Sequence, residues 1–197
     1  MAAPPRRRQI ANIGTRAVAL VEGNSDRAAV EALAARQGRC LEEEGVAIVS
    51  IGGATSLGHY LERFGPAGLR ARVAGLCDSA EEHHYRRILE RCGFGRDLAR
   101  ADMERLGFFV CDADLEDELI RSLGAAATEG VIAAAGELPL FRSFQNQPAW
   151  RGRAVDEQLR RFMGTRSGRK VRYGRLLVEA LDLAKVPRPL ERLLTFV

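Results

Sequence analysis

The sequence predicts an α/β protein: a four-stranded parallel sheet in a Rossmann-like core, followed by a mostly helical C-terminal region. Three observations lead there. Short apolar runs alternate with stretches of helical period as far as Cys111, the runs close on glycines or acids, and past Leu115 the strand pattern stops while helical periods continue.

Residues 1–15 are rich in proline, alanine and arginine and show no period, so they are expected to form a flexible tail. Residues 16–21 form a short apolar run and predict a first strand. Residues 25–37 follow with Ala29, Val30, Leu33 and Ala34 on one helical face, and 46–51 predict a second strand. Gly52 and Gly53 turn the chain into a helix over 56–64, 72–76 make a third strand, 80–92 a helix and 107–111 a fourth strand. Strand, helix, strand in succession implies right-handed crossovers and places ligands beyond the carboxyl ends of the strands. After that, 115–123, 125–135, 155–163 and 171–183 predict helices separated by Gly124, Gly136, Pro148, Gly152 and Gly164, with Pro187 and Pro189 shaping the end. The expected domains are the tail, a core over 16–123, and a helical extension over 124–197 packed on it.

A chain of 197 residues that is 46% hydrophobic can bury one sizeable core. Lysine is scarce and arginine carries most of the positive charge. The cysteines, Cys40, Cys77, Cys92 and Cys111, lack CxxC spacing and predict reduced thiols, which points to the cytoplasm. The basic opening MAAPPRRRQ is not followed by an apolar segment, and no run reaches the roughly 20 apolar residues of a membrane helix, so a soluble, unprocessed chain without a membrane partner is expected.

Acids gather at three strand ends. Glu22 in VEGNSD closes the first strand, with Gly23 permitting a sharp turn and Asp26 in the first turn of the next helix. Asp78 in GLCDSAEEH closes the third, with Glu81 and Glu82 behind it. CDADLEDEL, 111–119, follows the fourth and carries Asp114 and Glu116. Helix capping accounts for part of this pattern: Asn24 or Ser25 can cap one helix, Asp78 another and Asp114 a third. Carboxylates converging on one crevice would raise one another's pKa unless a cation compensates, and an all-oxygen donor set suits magnesium or manganese. His59, His83 and His84 lack zinc-site spacing.

The ordered motifs VEGNSD, IGGATS, GLCDSAE and DLEDEL together resemble the TOPRIM domain, most closely the version in nucleases of the overcoming lysogenization defect (OLD) family. The resemblance covers 16–123. It implies a metal-dependent nuclease, with Glu22 and Asp26 matching the first motif, Asp78 the first aspartate of the later pair, and Asp114 and Glu116 the acidic element of the nuclease branch. The usual Asp-x-Asp is here Asp78-Ser79-Ala80, so the second aspartate is missing and Glu81 is the nearest substitute. The alternative implied by that departure is a non-catalytic nucleic-acid- or partner-binding module. OLD proteins also carry an ATPase domain, whereas GTRSGRK has the wrong spacing for a Walker A loop, so a separate ATPase partner is expected. Residues 52–56 offer backbone N–H groups to a phosphate, or simply a strand-to-helix turn.

The helical half is strongly basic between 142 and 175, where ten arginines and lysines face only Asp156 and Glu157. Such an excess suits a nucleic-acid backbone, DNA in the first place, and SGRKVR marks Arg166, Arg169, Lys170 and Arg172 as the contact candidates. Phe144 and Trp150 are expected to be core anchors, and Tyr173 is open between core and base stacking. No lysine lies beside the acidic motifs, so Arg27 is taken as the cation that would steady charge on a scissile phosphate.

Overall fold

The computed structural model describes residues 15–166 and 168–197. All of the expected tail except Thr15, and Ser167 of SGRKVR, lie outside that range. Four parallel strands, β1 (Ala17–Val21), β2 (Val46–Ser50), β3 (Arg72–Asp78) and β4 (Phe108–Cys111), form one sheet in the order β2-β1-β3-β4. Every residue of β1 is buried, as a central strand covered on both faces requires, and this explains why it reads as an unbroken apolar run. Register pairs Val21 with Ser50, Leu20 with Gly75 and Asp78 with Cys111. The carboxyl ends of β1, β3 and β4 are therefore neighbours, and so are the segments that follow them.

Alternation along β1 sends Ala17, Ala19 and Val21 to one face and Val18 and Leu20 to the other, dividing the core into two layers. The second layer is closed by α2 (Leu57–Phe64), α3 (Glu82–Arg91) and α4 (Arg100–Arg105), through Leu57, Phe64, Tyr85, Leu89 and Met103. The first is closed by α1 (Asn24–Arg36) together with the C-terminal helices: α5 (Leu115–Leu123), α6 (Ala125–Ala134), α7 (Leu138–Gln145), α8 (Val155–Met163), α9 (Arg169–Ala180) and α10 (Arg188–Phe196). The helical half thus completes a layer of the sheet's own core.

The most extensive helix–helix packing is between α1 and α9. Gly174 makes it possible: a Cβ there would stand 2.7 Å from the Ser25 carbonyl oxygen. Arg36 fastens the far end of α9 by donating to the Val178 and Leu181 carbonyls. This crossing sets the second turn of α9 against the first turn of α1, and Lys170, one turn earlier in α9, lines the same cleft as Asp26.

The helices α4, α7 and α10 go beyond the sequence expectation. In α4 only Met103 is buried, too little to show a period. The other two begin with proline in the first turn, Pro139 and Pro189, where the missing N–H costs nothing and proline starts a helix instead of ending one. Among the described residues no helix is long and apolar enough to cross a membrane. All four cysteines are free thiols, Cys77 and Cys111 buried.

Candidate active site

The sheet delivers Glu22, Asp26 and Asp78 to one cleft of about 390 Å³, which Gly53 and Lys170 also line. Glu22 follows β1 directly, and its Oε1 accepts the Asp78 backbone N–H at 3.0 Å, bridging the two adjacent strand ends. Asp26 lies in the first turn of α1, 8% exposed, with Oδ2 accepting the Gly23 N–H at 2.7 Å. Gly53 enters the cleft at φ 114°, a backbone conformation that L side chains rarely adopt.

Asp78 ends β3 and makes no side-chain capping bond, so the helix-cap reading fails for it. Burial first, and then the charges of Glu22, Asp114 and Asp26, push its pKa up to about 7. Burial likewise raises Glu22, against the opposing Asp78 N–H, and Glu81 stands close enough for its charge to raise Glu22 further. Asp26 is raised by burial too, with the Gly23 N–H and Lys170 opposing.

Asp114 and Glu116 flank this group and are already engaged. Asp114 does cap α5, its Oδ1 accepting the Asp117 N–H at 2.8 Å, while its Oδ2 takes Arg160 of α8 at 2.7 Å. Glu116 is 2% exposed, with Lys170 Nζ 3.0 Å from its Oε2. That oxygen lies within ion-pair distance yet has no aligned hydrogen-bond donor among the described residues. Burial raises Glu116 and the Lys170 charge opposes the rise.

Lys170 is the site residue that sequence reasoning placed elsewhere. It lies in the first turn of α9, and its charge acts on Glu22, Asp26, Asp78 and Glu116 alike. The signal that could have found it is its rarity, since Lys185 is the only other lysine in the chain. Arg27, the expected cation, pairs with Glu31 on the exposed side of α1 and is not among the residues lining the cleft.

The nucleic-acid candidates divide. Arg166 and Arg172 are exposed. Arg169 is not: it is 6% exposed, pairs with Glu137 at 3.0 Å, donates to the Phe162 carbonyl, and lies over the Phe162 ring. A guanidinium so committed holds the α8–α9 junction and does not reach a backbone phosphate. Tyr173 is fully buried and donates to Glu137, which makes it a core residue. Phe144 is buried and stacks on the half-buried Trp150.

The donor chemistry fits a hard cation. The candidate ligands are carboxylate oxygens, Asp78 is pushed up to about 7 by burial and then by its neighbours' charge, and the buried Glu116 Oε2 lacks an aligned donor. Among the described residues no three such groups are drawn tightly enough to enclose an ion, and Lys170 and Arg160 supply the compensating positive charge in this arrangement.

Residues 15–79 match the family described as overcoming lysogenization defect protein-like, TOPRIM domain. Over that stretch, about a third of its length, the chain is similar to an OLD-like TOPRIM domain. The match includes Glu22, Asp26 and Asp78 and stops short of Asp114, Glu116 and Lys170. TOPRIM domains in general bind divalent metal ions, and the family is nuclease-like. Among solved structures, the C-terminal region of the Xanthomonas campestris pv. campestris OLD protein superimposes with a TM-score of 0.73 and 24% identity, covering 93% of this chain and 92% of that one. The C-terminal region of the Burkholderia pseudomallei OLD protein gives a TM-score of 0.70 and 21% identity over 92% and 96%. Both share the α/β fold, helical half included. No curated protein matches the chain.

Proposed function

We infer that the chain is a divalent-metal-dependent nucleic-acid phosphodiester hydrolase, endonuclease-like, acting on DNA. The observation that carries this reading is the convergence of Glu22, Asp26 and Asp78 on one cleft, with Asp78 raised to about 7 by burial and the surrounding negative charge. Glu22, Asp26 and Asp78 would hold magnesium or manganese, with Glu81 beside Glu22 in place of the absent second aspartate, and Asp114 and Glu116 completing a second position. A bound ion would polarise the scissile phosphate and lower the pKa of a coordinated water. Lys170 stands where it can pair with a phosphate oxygen and steady the charge that builds as water adds to phosphorus. Arg160 holds Asp114 in place, and the Asp78 N–H orients Glu22.

Gly164 to Lys170 lies between α8 and α9 and follows a helix, so it lacks the strand-loop-helix setting of a nucleotide loop, and we propose that any ATPase acting with this nuclease unit lies outside residues 15–197.

Plasmid nicking with manganese tests the hydrolase reading. Wild type is expected to nick and Glu22→Ala to lose that activity; equal nicking by both would refute the assigned site. A second reading, a nucleic-acid-binding module without full ligation, draws on Ala80 and on the two engaged oxygens of Asp114. Manganese calorimetry separates the two, since absence of heat at millimolar metal leaves only the module.

A further inference from the structure

A second cleft, of about 380 Å³, opens in the helical half between α7, α8 and the start of α9. One wall is apolar and aromatic: Leu140, 42% exposed, with Phe144 and Trp150, whose rings stack at 5.2 Å. The other wall carries Arg161, Arg166 and Arg169. Arg160 is engaged by Asp114 and Arg169 by Glu137, but Arg161 and Arg166 have no acidic partner among the described residues. Arg169 is more than nine-tenths buried, and its Nε has no hydrogen-bond partner among the described residues.

The cleft is rigidly built. Gln158, 5% exposed, accepts from Gln145 Nε2 at 2.7 Å and donates to the Trp150 carbonyl at 2.8 Å, so the turn carrying Trp150 is tied to both α7 and α8. It also adjoins the carboxylate cleft: Arg169 lines one and Lys170, the next residue, lines the other. Successive helical residues point about 100° apart, so the first turn of α9 forms the partition between them.

We propose that this cleft binds an unpaired nucleotide of the strand whose phosphate lies at the carboxylates, the base lying against Leu140, Phe144 and Trp150 and its phosphate against Arg161 and Arg166. An apolar planar body carrying a negative charge is what the two walls complement, and the volume lies in the range that takes one such group. This deepens the hydrolase reading and rests on it for the class of ligand; its test reads binding alone, in a chain that cannot cleave.

Trp150 is the only tryptophan in the chain, so its fluorescence reports on this cleft alone. The Glu22→Ala chain, without metal, is titrated with a short single-stranded oligothymidylate, with a hairpin duplex of equal charge, and with an acidic peptide. The single strand is expected to quench Trp150 saturably, and the duplex and peptide to do so weakly. Arg161→Glu and Arg166→Glu, both on exposed residues, are each expected to weaken single-strand affinity about tenfold at low salt. Unchanged emission while the strand binds, equal quenching by duplex or peptide, or full affinity in the charge-reversed variants would overturn the proposal. A chain that quenches on the single strand but never nicks contradicts the hydrolase reading alone. A chain that nicks through Glu22 without quenching contradicts this proposal alone.

Discussion

Lys170 Nζ lies 3.0 Å from Glu116 Oε2, joining the first turn of α9, whose lysine lines the carboxylate cleft, to the first turn of α5. A residue from the helical half thereby supplies the cation that the strand ends lack. The sheet gathers the acids, and the α1–α9 crossing brings the base to them.

Lys170→Met is expected to lower nicking by about 10²-fold, the scale found when one charge-stabilising donor is removed from a reaction centre. Lys170→Arg is expected to recover little of it, because a planar fork does not fit where a single ammonium sits. Initial rates at saturating manganese check this; wild-type rates in Lys170→Met would confine the lysine to holding Glu116.

Gly174→Ala forces a Cβ to within 2.7 Å of the Ser25 carbonyl, and backbone on both sides leaves no flexible side chain to yield. Separation of α9 from α1 is expected to cost about 1–3 kcal/mol and to draw Lys170 away from Glu116. Thermal melts should show the loss together with a fall in nicking. A fall in stability with full activity would separate the crossing from the site.

Asp78 gives stability a pH dependence opposite in sign to that of a salt-bridged acid. Its folded pKa, about 7, lies above its ordinary value of 3.8, so between those limits the folded chain binds more protons than the unfolded one. Its contribution is full below pH 4 and is lost as pH rises through 7. Without divalent metal, the melting temperature of wild type relative to Asp78→Asn is expected to fall between pH 4 and pH 7.5. A flat difference would show that neither burial nor the neighbouring carboxylates raise Asp78.

Arg169 and Arg166 are expected to fail differently. Arg169→Ala leaves Glu137 without its buried partner and is expected to cost on the order of 3 kcal/mol. Arg166→Ala should leave the melt unchanged and flatten the salt dependence of nucleic-acid affinity by up to about 0.9 for the one phosphate charge it no longer neutralises. Salt titrations beside denaturation curves check both.

The strands and the acids behind them were legible because parallel strands buried on both faces leave short apolar runs, and because ligands gather where such strands end. Glu22, Asp26 and Asp78 meet for that reason. What sequence could not order were relations between distant segments. Lys170 reaches the site from the far half of the chain through one glycine crossing, and no local pattern records that approach. Arg169 reads like its basic neighbours, yet Glu137 and the Phe162 ring draw it inside. Asp114 was ambiguous between cap and site, and its two oxygens serve Asp117 and Arg160 separately.

Manganese-soaked crystals, read by anomalous scattering, test the central claim most directly. A peak about 2.2 Å from carboxylate oxygens of both Glu22 and Asp78 is the expected result, with Glu81 or Asp26 completing the shell. A fully soaked crystal with no peak in that cleft, or with manganese bound only elsewhere, would contradict it.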